Sequence, residues 1–132
     1  MPDVEIKRLK DGMYSDPKTG WSAYPFIYGF DADLRGVHVV SIYPGQVRGN
    51  HYHAKTNELL FFISGKGVFL WEEEGAVHEH MLGGTPTVIR IKAGVKHAFR
   101  NTGESPVFLL AVRDGEFDPR NPDVVRTELT AT

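Results

Sequence analysis

Apolar and β-branched residues come in short bursts along this chain, each closed off by a glycine, a proline or a small polar cluster. The bursts that read as strands are Val4–Leu9, Tyr24–Phe30, Gly36–Tyr43, Glu58–Ser64, Val68–Glu73, Val77–Leu82, Thr87–Ile91, Lys96–Asn101 and Pro106–Arg113. They are rich in Val, Ile, Phe, Tyr and Trp and recur at short spacing, the pattern of an all-β sandwich or small β-barrel. No stretch sustains a 3.6-residue period, so few or no helices are expected. Ser64-Gly65-Lys66-Gly67 and Glu74-Gly75 read as hairpin turns, because glycine accepts the positive φ such turns require. Two segments, LLFFI at 59–63 and VFLLAV at 107–112, are apolar at every position. A sheet wetted on one face would alternate, so both faces of these strands are expected to be covered. One face meets the barrel interior. The other meets a second sheet or a second subunit, and a homodimer is the simpler arrangement.

Composition narrows the picture. The chain has 132 residues, 41% hydrophobic and 24% charged, which predicts one folded domain over 1–132. Within it the motif-bearing core runs from about 36 to 113, and 114–132, with Pro119 and Pro122, reads as an extended tail. A net charge of -2 offers no basic stripe for nucleic acid. Cysteine is absent, which excludes disulfides and thiolate chemistry. The opening MPDVEIKRLKDG lacks the apolar core of a leader, and no run approaches the roughly 18 apolar residues of a membrane span. A cytoplasmic location with no membrane partner is the expectation.

Candidate chemistry concentrates in GNHYHAKTNELLFFISG, residues 49–65. His51 and His53 are two apart, so on an extended strand both side chains point to one face. Glu58 is an odd number of residues further on, and a loop at Ala54–Asn57 is needed to restore its direction. His97 lies in KAGVKHAFRN, after a glycine turn. Any one of these histidines alone reads as a surface or packed residue. Together, three imidazoles and a carboxylate make a mixed N/O ligand set suited to one divalent transition metal: zinc, iron, manganese, nickel, cobalt or copper. His38, between valines, reads as packed or hydrogen-bonded. His78 and His80 follow EEEG and read as part of an exposed hairpin with no motif around them.

The run from Gly45 through His51, His53 and Glu58 to Gly65 resembles the first motif of the cupins, and 92–101 resembles the second, keeping its glycine, histidine and closing asparagine. Lys92 stands where the family usually has proline. The resemblance implies a jelly-roll barrel and carries the ligand role to His51, His53, Glu58 and His97 one by one. A narrower resemblance lies in RGNHYHAKTNE, the Asn-Thr-Gly turn at 101–103 and the Phe-Asp-Pro-x-x-Pro-Asp tail at 117–123. These are similar to the cupin domain of bifunctional enzymes of capsular-polysaccharide nucleotide-sugar synthesis, which implies zinc and epimerisation of a 4-keto sugar beside the ketone.

The expected activity is therefore metal-dependent isomerisation or epimerisation of a small keto-sugar or related carbonyl compound. A dioxygenase using the same ligands, and a non-catalytic small-molecule or carbohydrate binder, are the alternatives. Lys55 is the candidate base, on the expectation that it turns inward past His53. Arg48 and Asn57 are the candidate substrate contacts.

Overall fold

The computed structural model describes residues 2–10, 13–26, 28–30, 34–115, 118–120 and 122–129. Its strands are β1 (Val4–Arg8), β2 (Met13–Asp16), β3 (Gly20–Ala23), β4 (Val37–Ile42), β5 (Val47–Tyr52), β6 (Glu58–Ser64), β7 (Lys66–Glu73), β8 (Ala76–Gly83), β9 (Thr87–Ile91), β10 (His97–Asn101), β11 (Val107–Arg113) and β12 (Val125–Arg126). A 3-10 turn at Leu34–Gly36 is the one helical element among the described residues. Two five-stranded sheets result, ordered β1-β9-β6-β11-β4 and β12-β5-β10-β7-β8, with β2-β3 as a separate hairpin. Every pairing is antiparallel. This is the all-β architecture that the strand pattern predicts and the jelly roll that the cupin resemblance implies.

The two unbroken apolar segments lie where that pattern requires. In β6 and β11, Leu60, Phe62, Leu109 and Ala111 face the second sheet and meet Phe69, Leu82 and Phe99 in the main core. Phe62 and Phe99 stack across the interface with ring centroids 5.9 Å apart. The alternate residues Leu59 and Val112 form a second cluster with Leu9 and Val88, covered by Ala23, Tyr28 and Phe30. The chain's own N-terminal region thus covers part of the outer face. Phe108 and Val39, nearer the β4 edge, stay 48% and 70% exposed.

Three local expectations are revised. The described residues of Tyr24–Phe30, which leave out Ile27, form no strand: Pro25 carries no N–H for a ladder, and Gly29 closes a turn by donating to the Phe26 carbonyl. Strands form just upstream instead, on either side of an Asp16 side chain that accepts from the Lys18 and Thr19 amides. Ser64–Gly67 is a corner and not a hairpin, since β6 and β7 belong to different sheets and Gly65 (φ 107°) makes the turn between them. The Glu74-Gly75 hairpin is as expected, with both residues at positive φ. The segment before His51, left without a strand by the hydrophobic pattern, is β5.

β5 contains the irregularity that matters most for the site. His97 pairs with His51, but Ala98 pairs with Gly49, so Asn50 is an extra residue in the ladder. Gly49 and Asn50 both have positive φ, 103° and 53°. A Cβ on Gly49 would lie 2.9 Å from the Ala98 Cα and 3.0 Å from the His97 carbonyl oxygen. At Gly45 (φ 77°) a Cβ would meet nothing within 4 Å. Gly49→Ala should therefore destabilise the fold by about 3 kcal/mol or more, adding backbone strain to a backbone clash. Gly45→Ala should cost only about 1 kcal/mol of left-handed strain. Denaturant midpoints of the two variants check this ordering, and equal losses would contradict the bulge.

Candidate metal centre

Both sheets contribute to the site. His51 comes from β5 and His97 from the start of β10, both in the second sheet, and His53 lies just beyond β5. Glu58 is the first residue of β6 in the first sheet, reached by the 54–57 turn. Its odd spacing from His53 is therefore immaterial, because it faces the histidines from the opposite layer. One ligand atom from each of the four residues lies within 4.8 Å of the others. Among the described residues this is the one grouping of that kind, and His78 and His80 are not in it.

Hydrogen bonding fixes how two of the imidazoles are presented. His53 Nδ1 lies 2.8 Å from the Asp123 carbonyl oxygen and His97 Nδ1 lies 2.9 Å from that of Val95. A carbonyl can only accept, so each Nδ1 carries the proton and each Nε2 turns a lone pair inward. Both Nε2 atoms are buried without a hydrogen bond. They face the Glu58 carboxylate at 3.0 and 3.3 Å. Lone pairs aimed at a buried carboxylate call for positive charge between them. A divalent cation supplies it and satisfies all four residues, so the donor set fits a metal.

The electrostatics carry the same signature. Burial, with repulsion from His97 and His53 when charged, pushes the His51 imidazole down to about 4. Burial also opposes charge on His53, but attraction to Glu58 and the Asp123 carbonyl outweigh it and raise its pKa. Burial opposes ionisation of Glu58, yet the two adjacent imidazoles overcome it and hold the carboxyl far below its ordinary range.

Three of the four, His51, Glu58 and His97, line a cavity of about 740 Å³, within the range of small-molecule sites. Leu60, Phe99, Leu109 and Ala111 give it apolar walls, and His38, Arg48, Arg126 and Glu128 add polar groups. Arg48 reaches the cavity because of the bulge, which lets Arg48 and His51, three residues apart, share a face. Lys55 is exposed and does not line the cavity; its amide donates to the Asp123 carboxylate. Asn57 is also outside the lining. Its side chain donates to Asp114 and accepts from the Ala93 amide, joining two loops. His38 is not packed away: it shares the inner face of β4 with Val40 and Ile42. Arg126 and Glu128 come from the C-terminal segment, whose strand β12 pairs with β5. The hydrophobic pattern gave no sign of β12, which is two residues long. The Pro-Asp ending of the tail motif was the available signal.

A jelly roll with three histidines and a glutamate gathered between its sheets defines a cupin. Residues 31–125 match the profile of the polysaccharide biosynthesis C-terminal domain, and the chain belongs to that family. It is 30% identical over 92 residues to the spore coat polysaccharide biosynthesis protein SpsL of Bacillus subtilis, covering 64% of this chain and 61% of that protein. The capsular polysaccharide assembling protein CapF of Staphylococcus aureus is 30% identical with a TM-score of 0.65, covering 70% of this chain but only 26% of CapF. The sugar 3,4-ketoisomerase QdtA of Thermoanaerobacterium thermosaccharolyticum, solved with TDP, shares the fold at a TM-score of 0.75 and 19% identity, covering 95% of this chain and 88% of that one. Among the described residues no helix is long and apolar enough to cross a membrane.

Two predictions follow the geometry. His51→Ala combined with His97→Ala should lower metal content from about one equivalent per chain to below about 0.1, because half the ligand set is gone. Unchanged content by elemental analysis would place the metal elsewhere. In chelator-treated protein, the unfolded state binds a proton at His51 below its ordinary 6.5 while the folded state resists until about 4. Stability should therefore fall as pH drops through that window. The raised His53 acts oppositely, losing its contribution as pH rises above 6.5 through its folded pKa. Thermal melts should peak near the crossing, and His51→Gln should flatten the acid limb.

Proposed function

We propose that this chain is a metal-dependent isomerase or epimerase of a keto-sugar carried on a nucleotide. The observation that carries the reading is the four-residue centre opening into a cavity of about 740 Å³ with both cationic and apolar walls. Support comes from the family, whose relatives are proteins of polysaccharide biosynthesis and assembly. His51, His53, Glu58 and His97 would hold the ion. When bound, it would supply positive charge against the oxyanion that develops as a proton leaves the carbon beside a ketone.

The rest of the chemistry belongs to the chain. Arg48 and Arg126 suit the phosphoryl groups of a nucleotide, which guanidinium forks bind well. Leu60, Phe99 and Leu109 exclude water from the sugar. The proton must be moved by a group that lines the cavity and is not a metal ligand, and His38 meets both conditions. It sits opposite Ala111 on β11, and Ala111 sits opposite Leu60 on β6, two residues along from Glu58. At sheet spacing the His38 and Glu58 Cα atoms are about 12 Å apart, room for a sugar ring between their side chains. His38 thus takes the role that sequence spacing assigns to Lys55.

The test is solvent exchange. Zinc-loaded protein in deuterated water should wash deuterium into TDP-4-keto-6-deoxyglucose, the sugar bound in a QdtA structure, at a carbon beside the ketone. His38→Gln should slow this about 100-fold or more with zinc content unchanged. No exchange above buffer, or substrate-dependent oxygen uptake by the iron-loaded protein, would count against the reading and in the second case favour a dioxygenase.

A further inference from the structure

The acceptors that orient the two buried imidazoles differ in origin. Val95 is two residues from His97, so β10 and its turn bring that carbonyl with them. The carbonyl that orients His53 belongs to Asp123, 70 residues away, on the C-terminal segment. Something must hold it there, and the Asp123 side chain does so. Its carboxylate accepts from the Lys55 amide at 2.9 Å, the Thr56 amide at 2.9 Å and the Thr56 hydroxyl at 2.8 Å. One residue therefore grips the turn leaving His53 with its side chain while its main chain orients the imidazole. Beyond it the segment stays docked: Val125 and Arg126 pair with Tyr52 and His51, Thr127 donates to the Asn50 carbonyl, and Leu129 donates to the Asn50 side chain. Leu129 also packs on Val68, Leu70 and Ala98. Pro122, immediately before Asp123, restricts the approach of the chain.

We infer that Asp123 is the positioning residue for the metal ligand His53, and that the C-terminal segment is a working part of the metal centre and not a trailing tail. The inference rests on the metal reading of the four-residue cluster and deepens it. Outer hydrogen bonds to a ligating imidazole fix its tautomer and its ring orientation, and their loss typically weakens metal binding about 10- to 100-fold. Because Arg126 sits on the same segment and lines the cavity, whatever displaces the segment disturbs both the ion and the pocket wall.

The experiment is competitive zinc titration of the full chain, with cobalt spectra as a second readout. Asp123→Ala should bind zinc about 10- to 100-fold more weakly and shift the visible bands of the cobalt form, because His53 is no longer held. Thr56→Val, which leaves Asp123 intact and removes one of the donors to its carboxylate, should lose about 2- to 10-fold. It also keeps the test alive if Asp123→Ala fails to fold. Leu82→Ala, a core change in β8, controls for general loss of stability and should lower the melting temperature while leaving zinc affinity and cobalt bands unchanged. If the parent binds zinc tightly and Asp123→Ala and Thr56→Val match it, the inference is overturned and the metal reading stands. If the parent itself does not bind zinc or cobalt, both fall together.

Discussion

Two imidazole lone pairs and a carboxylate face one another where all three side chains are buried, and much of the structure serves to keep them there. An isolated carboxylate at the burial of Glu58 would ordinarily protonate. It stays ionised because His53 and His97 lie within 3.3 Å, and those rings are fixed because carbonyl oxygens take their other nitrogens. Without an ion this arrangement is electrostatically compensated only by protons, which explains why His53 and His51 are displaced in opposite directions from the same ordinary value. With an ion all four residues are satisfied at once.

The jelly roll achieves this through asymmetry between its layers. The second sheet presents His51 and His97 on neighbouring strands with His53 just past the end of β5, and the first sheet presents the carboxylate from the opposite side, so the four side chains converge between the layers. The bulge at Gly49 and Asn50 then turns Arg48 into the same cavity. A regular β5 would have pointed Arg48 outward and left the mouth of the site with one guanidinium fewer. Asn101 supports this corner: its side chain donates to the Ile42 and Ser105 carbonyls and accepts from the Gly103 amide, holding the turn that feeds β5.

The strands of the core were legible because burial on both faces leaves an unmistakable mark, as in LLFFI and VFLLAV. The grouping of the four residues was legible because the spacing of His51, His53 and Glu58, with His97 beyond, is more than packing alone requires, and the structure brings one ligand-type atom of each within 4.8 Å of the others. Tyr24–Phe30 misled because aromatic content is shared by strands and by coil segments that cover a sheet, and only hydrogen-bond geometry separates the two. Lys55 and Asn57 stand outside the cavity lining because a turn between layers breaks strand parity, so nearness to His53 or Glu58 in sequence does not give entry to the cavity. His38 and Arg126 were hidden for the converse reason. Their place depends on which face of β4 is inward and on a C-terminal strand too short to show a period.

Membership of the polysaccharide biosynthesis C-terminal domain family gives this centre a chemical setting, while the chain spans 61% of SpsL and about a quarter of CapF, so the activities of those whole proteins do not transfer with the fold. The claim on which everything rests is that the four residues hold one ion. Anomalous diffraction from crystals of protein purified without chelator tests it directly. The account predicts a single strong peak at a metal absorption edge, about 2.0–2.2 Å from His51, His53 and His97 nitrogens and a Glu58 oxygen. A featureless map at that position in protein supplied with zinc, or a peak at His78 and His80 instead, would contradict it.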